Sequence, residues 1–190
     1  MNALEALRDL YLIDIHAFRM NLDEALKERR SIRKYDKRIV PKNLVSQLLE
    51  AAEMSPSAGN LRARRYIIVT KPELRKALAM AAYSQSQAEM APLLIVVCAD
   101  VERSSRRYGD RGSLYSIQDA TAATMCLLLK AHDLGLGACW MGAFDDDIIR
   151  ETLSLQDNLL PIALISLGWP AERPAPPPER RMEEVVRWIE

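Results

Sequence analysis

The stretch 115–142, YSIQDATAATMCLLLKAHDLGLGACWMG, decides the fold, because it reads as one long helix running into a buried strand. Ile117, Ala120, Thr121, Thr124, Leu127, Leu128, Ala131 and Leu134 recur at helical spacing over about five turns. The opposite positions, Ala122, Ala123, Met125, Cys126 and Leu129, are no more polar, and residues 120–129 carry no charge. A helix that is apolar all round is buried on all sides, and in a chain of 190 residues one of those sides can belong to a second subunit. Gly135 and Gly137 supply the permissive backbone that a helix stop needs, and Ala138, Cys139 and Trp140 resume with strand character. Periodicity alone favours an ordinary core helix and strand. A sharper reading rests on residues elsewhere.

The length suits a single domain that buries roughly 70% of the surface its unfolded chain exposes. Acidic and basic residues balance at 26 each. No global field therefore draws the chain to nucleic acid or to an anionic membrane. The 3 cysteines, Cys98, Cys126 and Cys139, sit in apolar surroundings without CxxC or Cys/His spacing. That argues against zinc and against a disulfide framework, leaving reduced core thiols. The longest apolar runs, such as 92–99, are too short to span a bilayer, and the start lacks a basic segment followed by an apolar one. The chain is read as cytoplasmic.

In chain order, residues 1–20 form an N-terminal helical extension, amphipathic through Leu4, Leu7, Leu10, Tyr11 and Ile15. The main domain spans 21–190 and opens with Asn21 as N-cap over an acidic first turn, Asp23 and Glu24. That helix runs into the densest cation cluster of the chain, RRSIRKY at 29–35. Two readings of the cluster stand side by side. Cations at a helix end offset the macrodipole; alternatively, Arg29 and Ser31 offer charged and hydroxyl donors to a phosphate while Arg33 approaches an electron-rich ring.

A second amphipathic helix begins at Pro41 and carries Leu44, Val45, Leu48, Leu49 and Ala52; the loop SPSAGN, 55–60, follows it. Strands are expected at 66–69, 93–98 and 159–167, and helices at 72–82 and from about Asp145 to about Leu153. Residues 100–112, charged and bounded by glycine, read as a mobile surface loop that could serve as a lid. Pro174, Pro176, Pro177 and Pro178 make a stiff arm that delivers Arg180 and Arg181, and 182–189 reads as a closing helix.

RRSIRKY, SPSAGN, the stretch YSIQDATAATMCLLLKAHDLGLGACWMGAF at 115–144, and LGWP with the proline arm and EEVV at 183–186 together resemble the nitroreductase family of FMN-dependent oxidoreductases. Order and separations match over about residues 22–188. The resemblance implies an α+β fold, a small mixed central sheet flanked by helices, working as an intertwined homodimer with FMN at the subunit interface. It implies that Arg29 and Ser31 hold the FMN phosphate with Arg30 beside them, and that Arg33 lies near the N1/O2 edge of the isoalloxazine. Pro56, Ser57 and Asn60 resemble the segment given by the other subunit, Gln85 the residue on the ring's pyrimidine side, and Met141 and Gly142 the pair whose backbone approaches N5.

The chain departs from the family pattern in three places. Leu61-Arg62-Ala63-Arg64-Arg65 stands where many members have NxQPW. Near the end, alignment on EEVV leaves Glu179 at the usual phosphate Arg, so Arg180, with Arg181 second, is expected to take over. Met141 stands where some members have a Glu. The activity implied is ping-pong transfer of hydride from NADH or NADPH, through flavin N5, to a small acceptor such as a nitroaromatic, a quinone or a free flavin. No side-chain catalytic base is required, which suits a chain with 2 histidines, His16 and His132. Alternatives on the same fold are flavin destruction or dehalogenation, and a non-catalytic flavin-binding protein.

Overall fold

The computed structural model describes residues 20–178 and 180–190. The expected N-terminal helix within 1–20 falls, but for Met20, outside the described residues. Helix α1, Leu22–Glu28, starts at Asn21, whose side chain accepts from the Glu24 amide while Glu24 returns a bond to the Asn21 amide. Helix α2, Lys42–Glu53, buries Val45, Leu48 and Ala52 on one face. Strands β1, Arg64–Val69, and β2, Leu93–Asp100, are separated by helices α3, Pro72–Ala81, and α4, Ser86–Met90. Then come α5, Val101–Tyr108; α6, Gly112–Asp133; β3, Gly137–Met141; α7, Asp146–Leu153; and β4, Leu159–Gly168.

The strands form one sheet in the order β1-β2-β4-β3, with every ladder antiparallel. The mixed character expected of it is confined to a single parallel bridge, Ser31 to Ala138, outside the ladders. Strand β2 is buried at every position. Because side chains alternate across a strand, Ile95 and Val97 join Leu127, Leu128 and Leu48 on the α2/α6 face, while Leu94, Val96 and Cys98 join Leu78 and Ile149 on the α3/α7 face. Two-sided burial is the reason β2 reads as an unbroken apolar run.

Two expectations are corrected. Residues 100–112 are not a loop: α5 occupies most of the segment, and a 3₁₀ turn, Gly109–Arg111, completes it. The Asp100 carboxylate caps α5 by accepting from the Arg103 amide, and Ser104 is fully buried; the charge content hid a helix whose inward face is made of small serines. The closing helix is not formed. Only a 3₁₀ turn, Met182–Glu184, appears there, with Met182, Trp188 and Ile189 exposed, since a short helix without a surface for its apolar side is marginal. Within one chain the central helix buries one side and leaves part of another open, the side that the sequence reading left to a second subunit. Ala120, Ala123, Leu127 and Ala131 are buried, but Leu114 and Met125 remain exposed at 45% and 37%.

Helices α5 and α6 approach so closely at Gly112 that a Cβ there would overlap the Ser105 backbone. Gly112→Ala is expected to lower unfolding stability by about 1–3 kcal/mol through overpacking, read as a lower urea midpoint.

Candidate functional site

Residues 29–35 leave α1 and lie along the free edge of β3. Arg29 closes α1 with its amide on the Ala25 carbonyl. The Arg30 guanidinium turns back to cap the same helix, donating from Nη1 to the Lys27 carbonyl at 2.6 Å and to the Arg29 carbonyl at 2.9 Å. The Ile32 amide donates to the Ala138 carbonyl at 3.0 Å. Its side chain lies where a Cβ on Gly137 would fall, at 2.8 Å, so glycine is what lets the two backbones meet. Tyr35 anchors the far end: its hydroxyl bonds to the Ile32 carbonyl and, at 2.7 Å, to the Ser166 hydroxyl. Burial holds the phenol protonated, well above its ordinary range.

A groove of about 520 Å³ opens beneath this segment, lined among others by Arg29, Arg30, Leu128, His132, Arg173 and Pro174. Two of its residues carry a buried nitrogen without a hydrogen-bond partner, Arg30 Nε and His132 Nε2. Burial lowers the basicity of His132, and Arg29 and Arg30 act in the same direction against Glu28. An arginine-lined groove with unmet polar groups suits a ligand of concentrated negative charge.

The parallel bridge places Ser31 beside Ala138, so Arg33, two residues on, lies near the level of Trp140 and Met141. Arg33 is exposed. The side chain of Met141 is buried in the core at 2% exposure, whereas Gly142 is exposed, so the end of β3 offers backbone to a ligand. Gln85 reaches the same place: its Nε2 donates to the Ala143 carbonyl at 3.0 Å, and its Oε1 accepts from Gln87. The structure thus brings Arg29, Arg30, Ser31 and Arg33 together on one segment, and Gln85 together with Met141 and Gly142.

Pro56, Ser57 and Asn60 lie elsewhere. Their loop is pinned to the other end of α6 by the buried Asp119, whose carboxylate accepts from the Ala58 amide at 2.8 Å and the Ala63 amide at 3.4 Å. Gly59, Asn60 and Arg62 adopt positive φ of 55°, 56° and 49° to make the turn. Asp119 and His132 are thirteen residues apart on α6, which at 1.5 Å per residue separates the loop from the groove by about 20 Å. Arg180 and Arg181 do not line the groove; both are exposed, beside Glu184 and Glu183 at 3.8 and 3.5 Å.

Sequence reading passed over three residues that build this region. Arg64, with no side-chain exposure, bonds to Glu53 at 2.8 Å and to the Asp119 carbonyl at 3.2 Å, so the run 61–65 that departs from the family pattern locks α2 to α6. Asp119 was visible as the one acid between residues 111 and 132. Arg173 stood out by nothing except its place just before the first proline of the arm.

The comparisons agree with this architecture. The family model described as "Nitroreductase family" matches residues 26–91 and 80–169. A protein of Thermus thermophilus named NADH dehydrogenase is 34% identical over 194 aligned residues, covering 86% of this chain and 94% of the relative. A Bacillus subtilis protein named FMN reductase (NADPH) is 25% identical, covering 80% of this chain and 66% of its own. The crystal structure of nitroreductase A from Vibrio parahaemolyticus superposes with a TM-score of 0.82 at 26% identity, covering 90% of this chain and 77% of that one. The α+β fold is the one these structures share. The chain belongs to the nitroreductase family.

Two variants probe the polar groups that shape this region. Asp119→Ala leaves the Ala58 and Ala63 amides without their acceptor, an expected loss of about 1–3 kcal/mol seen as a lower denaturation midpoint with faster proteolysis within 56–63. Burial raises the affinity of Glu53 for its proton, but the bonds from Arg64 and Tyr66 outweigh it and hold the carboxyl below its ordinary value. A depressed folded value contributes stability above the unfolded value and loses it as pH falls through the folded one. The gap in thermal midpoint between wild type and Glu53→Gln is therefore expected to be full near neutrality and to shrink on acidification; a gap independent of pH contradicts this.

Proposed function

We propose that this chain is an FMN-dependent enzyme of the cytoplasm that passes electrons from NADH or NADPH to a small organic acceptor by a ping-pong mechanism, acting as a homodimer with flavin at the subunit interface. The unit concerned is residues 21–190, with 1–20 as an accessory extension. The observation that carries the reading is the continuity of the 29–33 segment with β3: an arginine-lined groove at one end and an exposed glycine backbone at the other, on adjoining strands. The distance from Ala138 to Met141 along β3 is about 10 Å, which leaves room for a ligand with an anionic tail at one end and a flat ring at the other.

The residues fit FMN. Arg29 and Ser31 hold the phosphate by charge-assisted and hydroxyl hydrogen bonds, in a groove where Arg30 Nε and His132 Nε2 lack partners. Arg33 places positive charge beside the ring. Gly142 presents no side chain, so the ring's edge can meet the backbone at the end of β3, with the Gln85 amide alongside. When bound, FMN supplies the capacity to take a hydride from a nicotinamide and give electrons to a second substrate. The protein binds, orients and tunes by charge, and none of the gathered residues is needed as a proton-transfer base.

Separation along α6 argues for two chains. A loop about 20 Å from the groove cannot close over the same phosphate end within one copy, but the Pro56, Ser57 and Asn60 loop of a second copy can. Leu114, Thr121 and Met125 on α6, and Trp188 and Ile189 at the end of the chain, are exposed. A symmetric partner would cover them.

Purified protein is expected to be yellow, or to turn yellow on adding FMN, and to bleach under NADH or NADPH without oxygen. A colourless protein that takes up no FMN sinks the reading. Arg29→Ala is expected to weaken FMN binding by about 1.5–3 kcal/mol, read by flavin fluorescence titration.

A further inference from the structure

Past β4 the chain folds back across residues 33–35. Tyr35 bridges Pro170, and Ala171 donates to the Lys34 carbonyl at 2.9 Å. One carboxylate oxygen of Glu172 accepts both the Arg33 amide at 2.5 Å and the Lys34 amide at 3.1 Å. This clasp brings the next residue, Arg173, to the rim of the groove that Arg29, Arg30 and His132 share. The Arg173 side chain is exposed, and among the described residues it forms no ion pair, nor do Arg29 and Arg30.

The groove therefore holds three guanidiniums against the carboxylates of Glu28 and Glu172, and the second of these is already engaged by two backbone amides. Arg180 and Arg181, the residues to which sequence alignment pointed, do not line the groove and stand exposed beside acids of their own segment. We infer that Arg173 is the second guanidinium at the flavin phosphate, facing Arg29 across the groove, and that Arg180 and Arg181 do not serve there. A phosphate offers three strong acceptor oxygens and close to two negative charges near neutral pH. That suffices for Arg29, Arg173 and one of the two nitrogens left without partners. The proline residues on either side of the clasped turn give the arm its stiffness, so Arg173 is held at the rim with little entropy left to lose on binding.

The inference rests on the FMN reading above, and its test separates the two. Full-length wild type, Arg173→Ala, Arg173→Lys, Arg29→Ala and the double variant Arg180→Ala/Arg181→Ala are titrated with FMN and with riboflavin, which lacks the phosphate, by fluorescence quenching. Arg173→Ala is expected to weaken FMN at least tenfold, a typical loss for one charge-assisted bond, and to leave riboflavin unchanged. Arg173→Lys should recover part of the loss, and the Arg180/Arg181 variant should bind FMN within about twofold of wild type, as expected for exposed pairs. If Arg29→Ala loses FMN while Arg173→Ala does not, Arg173 is idle and the inference falls with the flavin reading intact. Equal losses for FMN and riboflavin in Arg173→Ala also overturn it. If wild type binds neither ligand, both readings fall together. Since Arg173, Arg180 and Arg181 are exposed, folding is not at stake in their variants.

Discussion

Two-sided burial of β2 and β4 is the constraint from which the rest follows. With α2 and α6 on one face and α3 and α7 on the other, neither face of the sheet is open to a ligand. Sites can arise only at strand ends and along edges. The β1 edge adjoins the pair of buried Arg64 with half-exposed Glu53, while the β3 edge receives the 29–35 segment through the Ile32 to Ala138 bond. The cationic groove, the exposed end of β3 and the returning arm all gather at that second edge. The candidate site is thereby displaced from the core to its border, where backbone groups not used by the ladder are available to a ligand.

Polar groups buried inside the molecule serve position more than chemistry. Asp119 sits in an otherwise uncharged stretch of helix, and its carboxylate is used up by two amides of the 57–63 turn. Arg64 is surrounded by acceptors from α2 and α6. Removing one member of such a set is costlier than never having had it, because the others are left without partners in a poorly solvated place. The run 61–65, which breaks the family's sequence pattern, gains its sense here: a guanidinium fastens the loop to two helices.

Much of this was legible in the sequence wherever periodicity and burial agree. The span of α6, the apolar strand β2, the Asn21 cap and the proline start of α3 each follow from local chemistry that tertiary packing reinforces. Segments whose structure depends on unlike neighbours were not. Residues 101–108 look like a charged loop because the inward side is made of Ser104 and Ser105, which composition counts as polar although one is wholly buried. Residues 182–189 look helical by pattern yet find no surface to pack on among the described residues. On the candidate site, RRSIR and the end of β3 were visible as a cluster and a glycine, whereas the place of Arg173 depends on a fold-back that no local pattern announces. The family resemblance gave the Pro56, Ser57 and Asn60 loop to the other subunit, but the roughly 20 Å along α6 between that loop and the groove was not legible, since sequence order carries no distances.

The clasp between residues 33–35 and 170–172 couples two pieces of the molecule that are far apart in sequence. Whatever loosens the C-terminal arm also frees the amides of Arg33 and Lys34 and slackens the strand that presents the arginines. By thermodynamic linkage, a ligand held by that strand must in turn tighten the arm. Occupancy of the pocket would then be reported toward the C-terminal arm, as resistance to carboxypeptidase trimming that rises with ligand concentration.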